Sequence, residues 1–239
     1  MASLSPALGS VLTVPPMSRR WSDAHSAQPD LVKSPCEDPV ELIRQAGQSV
    51  SIARDETLFC EGDPADAVYV VLSGTVRSSK MLPDGRRQII GFHEAGDLIG
   101  LTLADDYLYS AEGVTAVRLR RLSHLQLEAL IERQPRLRNR LFSLAAHELA
   151  AAQRQMLLLG RKTARERLCS FLIERLRGDG PIVELPMSRT DIADYLGLTI
   201  ETVSRTLSQL RAEGLILMAT PHSLELTDAG RLSDLAEAA

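Results

Sequence analysis

The chain has 239 residues, 44% of them apolar, with 27 Lys and Arg against 31 Asp and Glu and a formal net charge of -4. That length suits one large domain or two small ones with a real buried core. The slight acidity provides no global attraction to nucleic acid, so any such affinity must come from local placement of cations.

The three cysteines, Cys36, Cys60 and Cys169, lack the close spacings that clip zinc or hold an iron–sulfur cluster. No run approaches the roughly 18 apolar residues of a membrane span. The first residues, "MASLSPALGSVLTVPPMSRRW", show no positive head before an apolar stretch. A protein of the reducing cytoplasm, neither exported nor membrane-bound, is expected.

Residues 1–39 contain Pro6, Pro15, Pro16, Pro29, Pro35 and Pro39, half of the 12 prolines, without a helical or strand period. They are expected to form a flexible extension, with Val11, Leu12 and Trp21 as a candidate anchor. From Val40, "VELIRQAG" predicts a short helix. It leads into brief runs punctuated by "EGDPAD", "LSG", "LPDG" and "EAGD". The run "AVYVVLSGTVRSSKM" alternates only partly, yet its Val and Tyr content and flanking glycines predict strands. Several short strands at such spacing imply a sandwich or jelly-roll β-barrel over residues 40–122.

Residues 123–160 turn helical, from "HLQLEALIERQ" through Pro135 into "PRLRNRLFSLAAHELAAAQRQMLLLGRK". At alternating three- and four-residue steps the second helix presents Phe142, Ala145, Leu149, Ala152, Met156 and Leu159. This is the pattern of a coiled-coil seam. The stripe could instead face the chain's own barrel. Leu141, Leu144, Leu157 and Leu158 supply a second apolar flank for that purpose, which favours a homodimer seam.

Residues 161–239 begin with "TARERLCSFLIERLRG", a helix expected to close at Gly178 and Gly180. After the extended piece "PIVELP", Ser188 and Asp191 have the form of a capping box, and Gly197 ends the helix they open. A second helix is predicted from about Thr199 to Glu213, with Gly214 as its stop. A hairpin around Pro221 and His222 follows. Ala193, Gly197 and Val203 fall where two helices joined by a tight turn need a small residue, a turn glycine and a buried anchor. A winged helix-turn-helix is expected.

The opposite face of the second helix carries Glu201, Ser204 and Arg205 at i, i+3 and i+4. Arginine can donate twice to guanine, glutamate can accept from the cytosine amino group, and serine serves either role. The bland alternative is an i, i+4 ion pair on a solvated helix. Arg189, Thr190, Thr199 and Thr202 complete the expected DNA-facing set, with Arg189 assigned to a phosphate.

"GDLIG" after "GFHEAGD", the long helix after Pro135, and "SRTDIADYLGLTIETVSRTLSQLRAEGLI" together resemble the Crp/Fnr superfamily of bacterial transcription regulators from about residue 40 onward. The E-x-x-S-R pattern of Glu201, Ser204 and Arg205 resembles its Fnr and FixK branch, whose members read TTGAT, four spacer bases, ATCAA. Ile200 stands where the cyclic-AMP receptor branch usually has arginine.

The resemblance implies an α+β architecture: a cyclic-nucleotide-binding-like β-roll, a dimerisation helix and a winged helix-turn-helix. It also implies duplex DNA and RNA polymerase as partners and control of low-oxygen respiration, denitrification or nitrogen fixation. Departures from the family pattern narrow it further. Gly100-Leu101 and Tyr109-Ser110-Ala111 replace the glutamate and arginine that hold a cyclic nucleotide, so none is expected to bind. Three cysteines cannot supply the four thiolates of a cluster. Haem on His93 or His124 is disfavoured, so no cofactor is expected. Scattered cysteines and the five histidines form no enzyme constellation.

Two smaller features have double readings. Cys169, near Arg165 and Arg167, is either an oxidisable thiol or a small buried hydrophobe. The loop "LPDGRR", with Asp84, Gly85 and Arg86, resembles the family's polymerase-contacting loop or is a plain hairpin turn. An unidentified small-molecule or redox signal acting directly on the protein is the alternative to control through its supply.

Overall fold

Asp38 opens the first helix: its carboxylate accepts the Val40 amide at 3.0 Å, with Pro39 in the first turn. In the computed structural model, which describes residues 38–176, 180–220 and 222–237, this is α1 (Pro39–Ala46). The expected extension, with Val11, Leu12, Trp21 and Cys36, lies outside the described residues apart from its last two positions, as do Gly178 and Pro221.

Eight strands follow: β1 (Gln48–Ile52), β2 (Thr57–Phe59), β3 (Ala67–Ser73), β4 (Val76–Met81), β5 (Arg87–His93), β6 (Leu98–Ile99), β7 (Ser110–Gly113) and β8 (Val117–Ser123). They pair antiparallel in two four-stranded sheets, ordered β1-β8-β3-β6 and β2-β7-β4-β5. Phe59, Tyr69, Val71, Ile99, Tyr107 and Leu119 fill a core of this β-roll. Val68 and Val70, the intervening residues of β3, join Ile43, Leu122, Leu127, Leu137 and Leu141 in a second core, under the helices.

Both faces of β3 are therefore covered, which is why its sequence does not alternate cleanly. Gly74, at φ +87°, turns β3 into β4. A Cβ there would meet the Ala116 carbonyl at 2.3 Å.

Ser123 and Gln126 form a capping box for α2 (His124–Arg133). Helix α3 (Arg136–Arg161) then runs for 26 residues, roughly 39 Å at 1.5 Å per residue. Leu141 and Leu144 pack on the β-roll side as expected, and Leu158 enters the core of the C-terminal region. Leu157 does not: it is 65% exposed, so the second flank is narrower than the sequence suggested.

Thr163 and Glu166 cap α4 (Ala164–Glu174). This helix stops at Arg175, short of the glycines expected to close it. The Arg175 amide folds back to Phe171 and Ile173, and its guanidinium lies against the Phe92 and Phe171 rings and pairs with Glu94. The C-terminal region continues with β9 (Ile182–Glu184), α5 (Arg189–Leu196), α6 (Ile200–Ala212), β10 (Ile216–Thr220), β11 (Ser223–Leu226) and α7 (Ala229–Glu237).

The strands form a three-stranded wing, ordered β10-β11-β9, around a core that includes Phe171, Leu172, Leu196, Val203, Leu210 and Leu224. Helix α7 has no counterpart in the sequence reading, although buried Leu232 and Ala236 stand one helical turn apart.

Candidate nucleic-acid interface

Helix α5 begins with a complete capping box: the Ser188 hydroxyl accepts the Asp191 amide at 3.0 Å, and the Asp191 carboxylate returns to Ser188. It ends at Gly197, in the left-handed region at φ +60°, where a Cβ would lie 3.3 Å from Leu159 Cδ2. Thr199 then caps α6, its hydroxyl accepting the Thr202 amide at 3.2 Å. Thr199 and Thr202 are thus engaged with each other at the start of the helix.

Val203, Thr206, Leu207 and Leu210 anchor α6, with the Thr206 hydroxyl satisfied by the Thr202 carbonyl at 2.8 Å. That leaves Glu201 and Arg205 exposed on the far side, beside half-buried Ser204. Among the described residues no ion pair within 4.0 Å joins Glu201 to Arg205. A bond to its own backbone amide, then the Thr199 hydroxyl, hold the Glu201 carboxyl below the usual range, with Arg205 adding its charge. The face therefore presents an ionised acceptor and an unspent guanidinium fork, the groups needed for a cytosine amino group and a guanine edge.

Arg189, the first residue of α5, is exposed and reaches across to Ser204, Nη1 donating to Oγ at 3.4 Å. This places a cation at the edge of the face that carries Glu201 and Arg205. No helical period links it to α6. Thr190 is exposed beside it.

On α3, Phe142, Leu149 and Met156 are 68%, 62% and 72% exposed, and Ala145 and Ala152 lie open with them. Leu159 differs: it is half-buried and packs on the core of the C-terminal region. Phe142 and Ala145 also border an apolar groove with Leu101, Leu103 and Leu108.

In the "LPDGRR" turn, Gly85 has φ +83°. Asp84 accepts from the Arg86 amide at 3.1 Å and from its guanidinium at 2.8 Å, so the exposed tip is held by its own ion pair. In the β-roll the Tyr109 hydroxyl accepts the Gly100 amide at 3.0 Å. Burial pushes the Tyr109 phenol up to about 12, the Gly100 bond opposing and the Glu148 charge adding. Desolvation and the charge of Asp97 raise the Glu148 carboxyl.

Cys169 is fully buried in the C-terminal core, and burial pushes its thiol up despite Arg165. Cys60 is exposed. Desolvation lowers the pKa of His93, which bonds Ser78 at 2.9 Å, and His124 starts α2. Among the described residues no group of three or more His, Cys, Asp or Glu is arranged to hold a metal. No described helix is long and apolar enough to cross a membrane.

Family models match both halves of this architecture: a cyclic nucleotide-binding domain over residues 49–134 and a Crp-like helix-turn-helix domain over 166–235. The chain is 43% identical over 210 residues to the nitrogen fixation regulation protein FixK of Bradyrhizobium diazoefficiens, covering 84% of this chain and 88% of the relative. It is 42% identical over 204 residues to the transcriptional activatory protein AadR of Rhodopseudomonas palustris, covering 83% and 85%. The solved structure of FixK2 from Bradyrhizobium japonicum superposes with a TM-score of 0.76 at 42% identity, over 79% of this chain and 96% of that one. A β-roll, a long helix and a winged helix-turn-helix, matched in sequence to FixK, place this chain in the Crp/Fnr family of transcription regulators.

Proposed function

We propose that the protein is a homodimeric transcription activator that reads palindromes of the type TTGAT, four spacer bases, ATCAA. The observation that carries this reading is the set of exposed Glu201 and Arg205, with half-buried Ser204 beside them, on a helix whose other side is anchored in the core. The open stripe from Phe142 to Met156 on α3 supports the dimer, since it leaves large apolar side chains exposed on a single chain. Two such units related by a two-fold axis would match a palindrome. The names of its FixK and AadR relatives support activation and a role in nitrogen fixation. The exposed Asp84–Arg86 turn would serve the contact with RNA polymerase, and the cytoplasm is where both partners are found.

The same reading leaves cyclic nucleotides out. Tyr109 takes the Gly100 amide, and the stretch Tyr109-Ser110-Ala111 offers no arginine to pair with a buried phosphate. Control through the amount of protein made follows more readily than control by such a ligand.

The test is binding of Arg205→Ala and the parent chain to the palindrome and to sites changed only at the G·C pair. Loss of the bidentate contact should cost about 1–3 kcal/mol per half-site and flatten the preference at that pair. A variant that keeps the parent's discrimination would make Arg205 a surface cation and remove the proposed readout.

A further inference from the structure

Helix α5 is gripped at both ends by side chains from other elements: β4 and β5 of the β-roll, α3 and α4. An α-helix leaves its last carbonyls without internal partners, and here side chains from three other elements take them. Gln88 Nε2, from β5, donates to the Asp194 carbonyl at 2.7 Å and the Tyr195 carbonyl at 3.3 Å. Gln155 of α3 donates to the Tyr195 carbonyl at 2.8 Å, and Arg167 of α4 to the Leu196 carbonyl at 2.9 Å.

The acidic side chains of α5 are held by the same β-roll. Arg87 donates to Asp194 from Nε at 3.0 Å and from Nη2 at 2.8 Å, and that Nη2 also lies 2.8 Å from Asp191 Oδ1. Arg77 of β4 reaches the same Asp191 oxygen at 3.3 Å while bonding Glu112 at 2.8 Å. Side chains of Arg77 and Asp191 are only 10% and 5% exposed, so this pairing is shielded from solvent.

We propose that Arg87 and Gln88 are positioning residues for DNA recognition: by holding α5 against the β-roll they fix the orientation of α6, whose reading face stays open. This rests on the reading of α6 as the base-contacting helix. If the chain binds DNA only while α5 is docked, the apparent affinity falls in proportion to the docked fraction. Every group in this docking belongs to the chain itself.

The experiment compares the full chain with Arg87→Ala, Asp194→Asn, the pair, and the milder Gln88→Ala. Affinity for the palindrome is measured by fluorescence anisotropy, and hydrogen exchange of α5 and α6 is measured without DNA. Arg87→Ala should bind about ten-fold more weakly, with faster exchange in both helices. The pair should lose little more than the worse single variant. Base discrimination and salt slope should match the parent, since no base or phosphate contact is lost. A merely structural role would lower the melting temperature and leave affinity intact in the folded range.

Affinities within two-fold of the parent, strictly additive losses, or tighter binding would overturn the proposal. If Arg87→Ala does not fold, Gln88→Ala carries the same expectation in reduced size. Failure of the parent chain to bind the palindrome would count against the proposed function instead. The exchange measurement would then still decide the grip: faster exchange of α5 supports it, and unchanged exchange removes it.

Discussion

Glu201, Ser204 and Arg205 were visible in the sequence because their relation is a property of one helix: i, i+3 and i+4 share a face wherever the helix lies. The bond from Arg189 to Ser204 was not visible, since it depends on how α5 crosses α6. Nor were the pairs that Arg77 and Arg87 make with Asp191, which span 114 and 104 residues and follow from no local pattern.

Cys169 illustrates the same limit. Its arginine neighbours along the chain suggested a lowered pKa, but enclosure among Leu168, Phe171 and Leu172 acts in the opposite direction and wins. A thiol raised in the folded state stabilises the fold below its unfolded pKa and loses that contribution as pH rises. Since the thiolate is the reactive form, iodoacetamide at neutral pH should modify exposed Cys60 at least about ten-fold faster than Cys169 in a Cys36→Ala background. Peptide mass spectrometry over time reads both rates. Equal rates, or loss of DNA affinity to peroxide that Cys169→Ala abolishes, would return Cys169 to the role of a redox thiol.

At the scale of elements, the long stripe of α3 and the capping box that opens α5 were legible because periodicity and capping chemistry are local. The division of α3 between faces was less so. Leu157 and Leu158 are adjacent and equally apolar, yet one is exposed and the other enters the C-terminal core. At the end of α4, Arg175 is held over Phe92 of the β-roll and Phe171 of α4 itself and pairs with Glu94, contacts that no local pattern shows. Helix α7 carries only a weak pattern, the pair Leu232 and Ala236 one turn apart.

Ala152 tests the seam without disturbing the chain's own packing, because it is exposed. Ala152→Asp should leave the melting of the single chain nearly unchanged while placing two carboxylates face to face in the dimer. Association should weaken by several kcal/mol. Sedimentation over a concentration series measures this, and a variant that stays dimeric like the parent would mean that α3 is not the seam.

For the whole molecule, the order of a strand-rich region, a long helix and a helix-turn-helix followed from changes of period along the chain, and the β-roll followed from the family resemblance. The joining of the parts did not. It lies largely in polar side chains, Arg77, Arg87 and Gln88 of the strands and Gln155 of α3, whose contacts with α5 follow from no local pattern. In the proposed dimer two reading helices act together, each oriented by its own β-roll and related by the α3 seam.

Selection of bound sequences from a random duplex pool by the purified full chain tests that arrangement most directly. The result predicted is enrichment of an inverted repeat with a G·C pair in each half-site at fixed spacing. Enrichment of single, unpaired half-sites, or of no sequence at all, would contradict it.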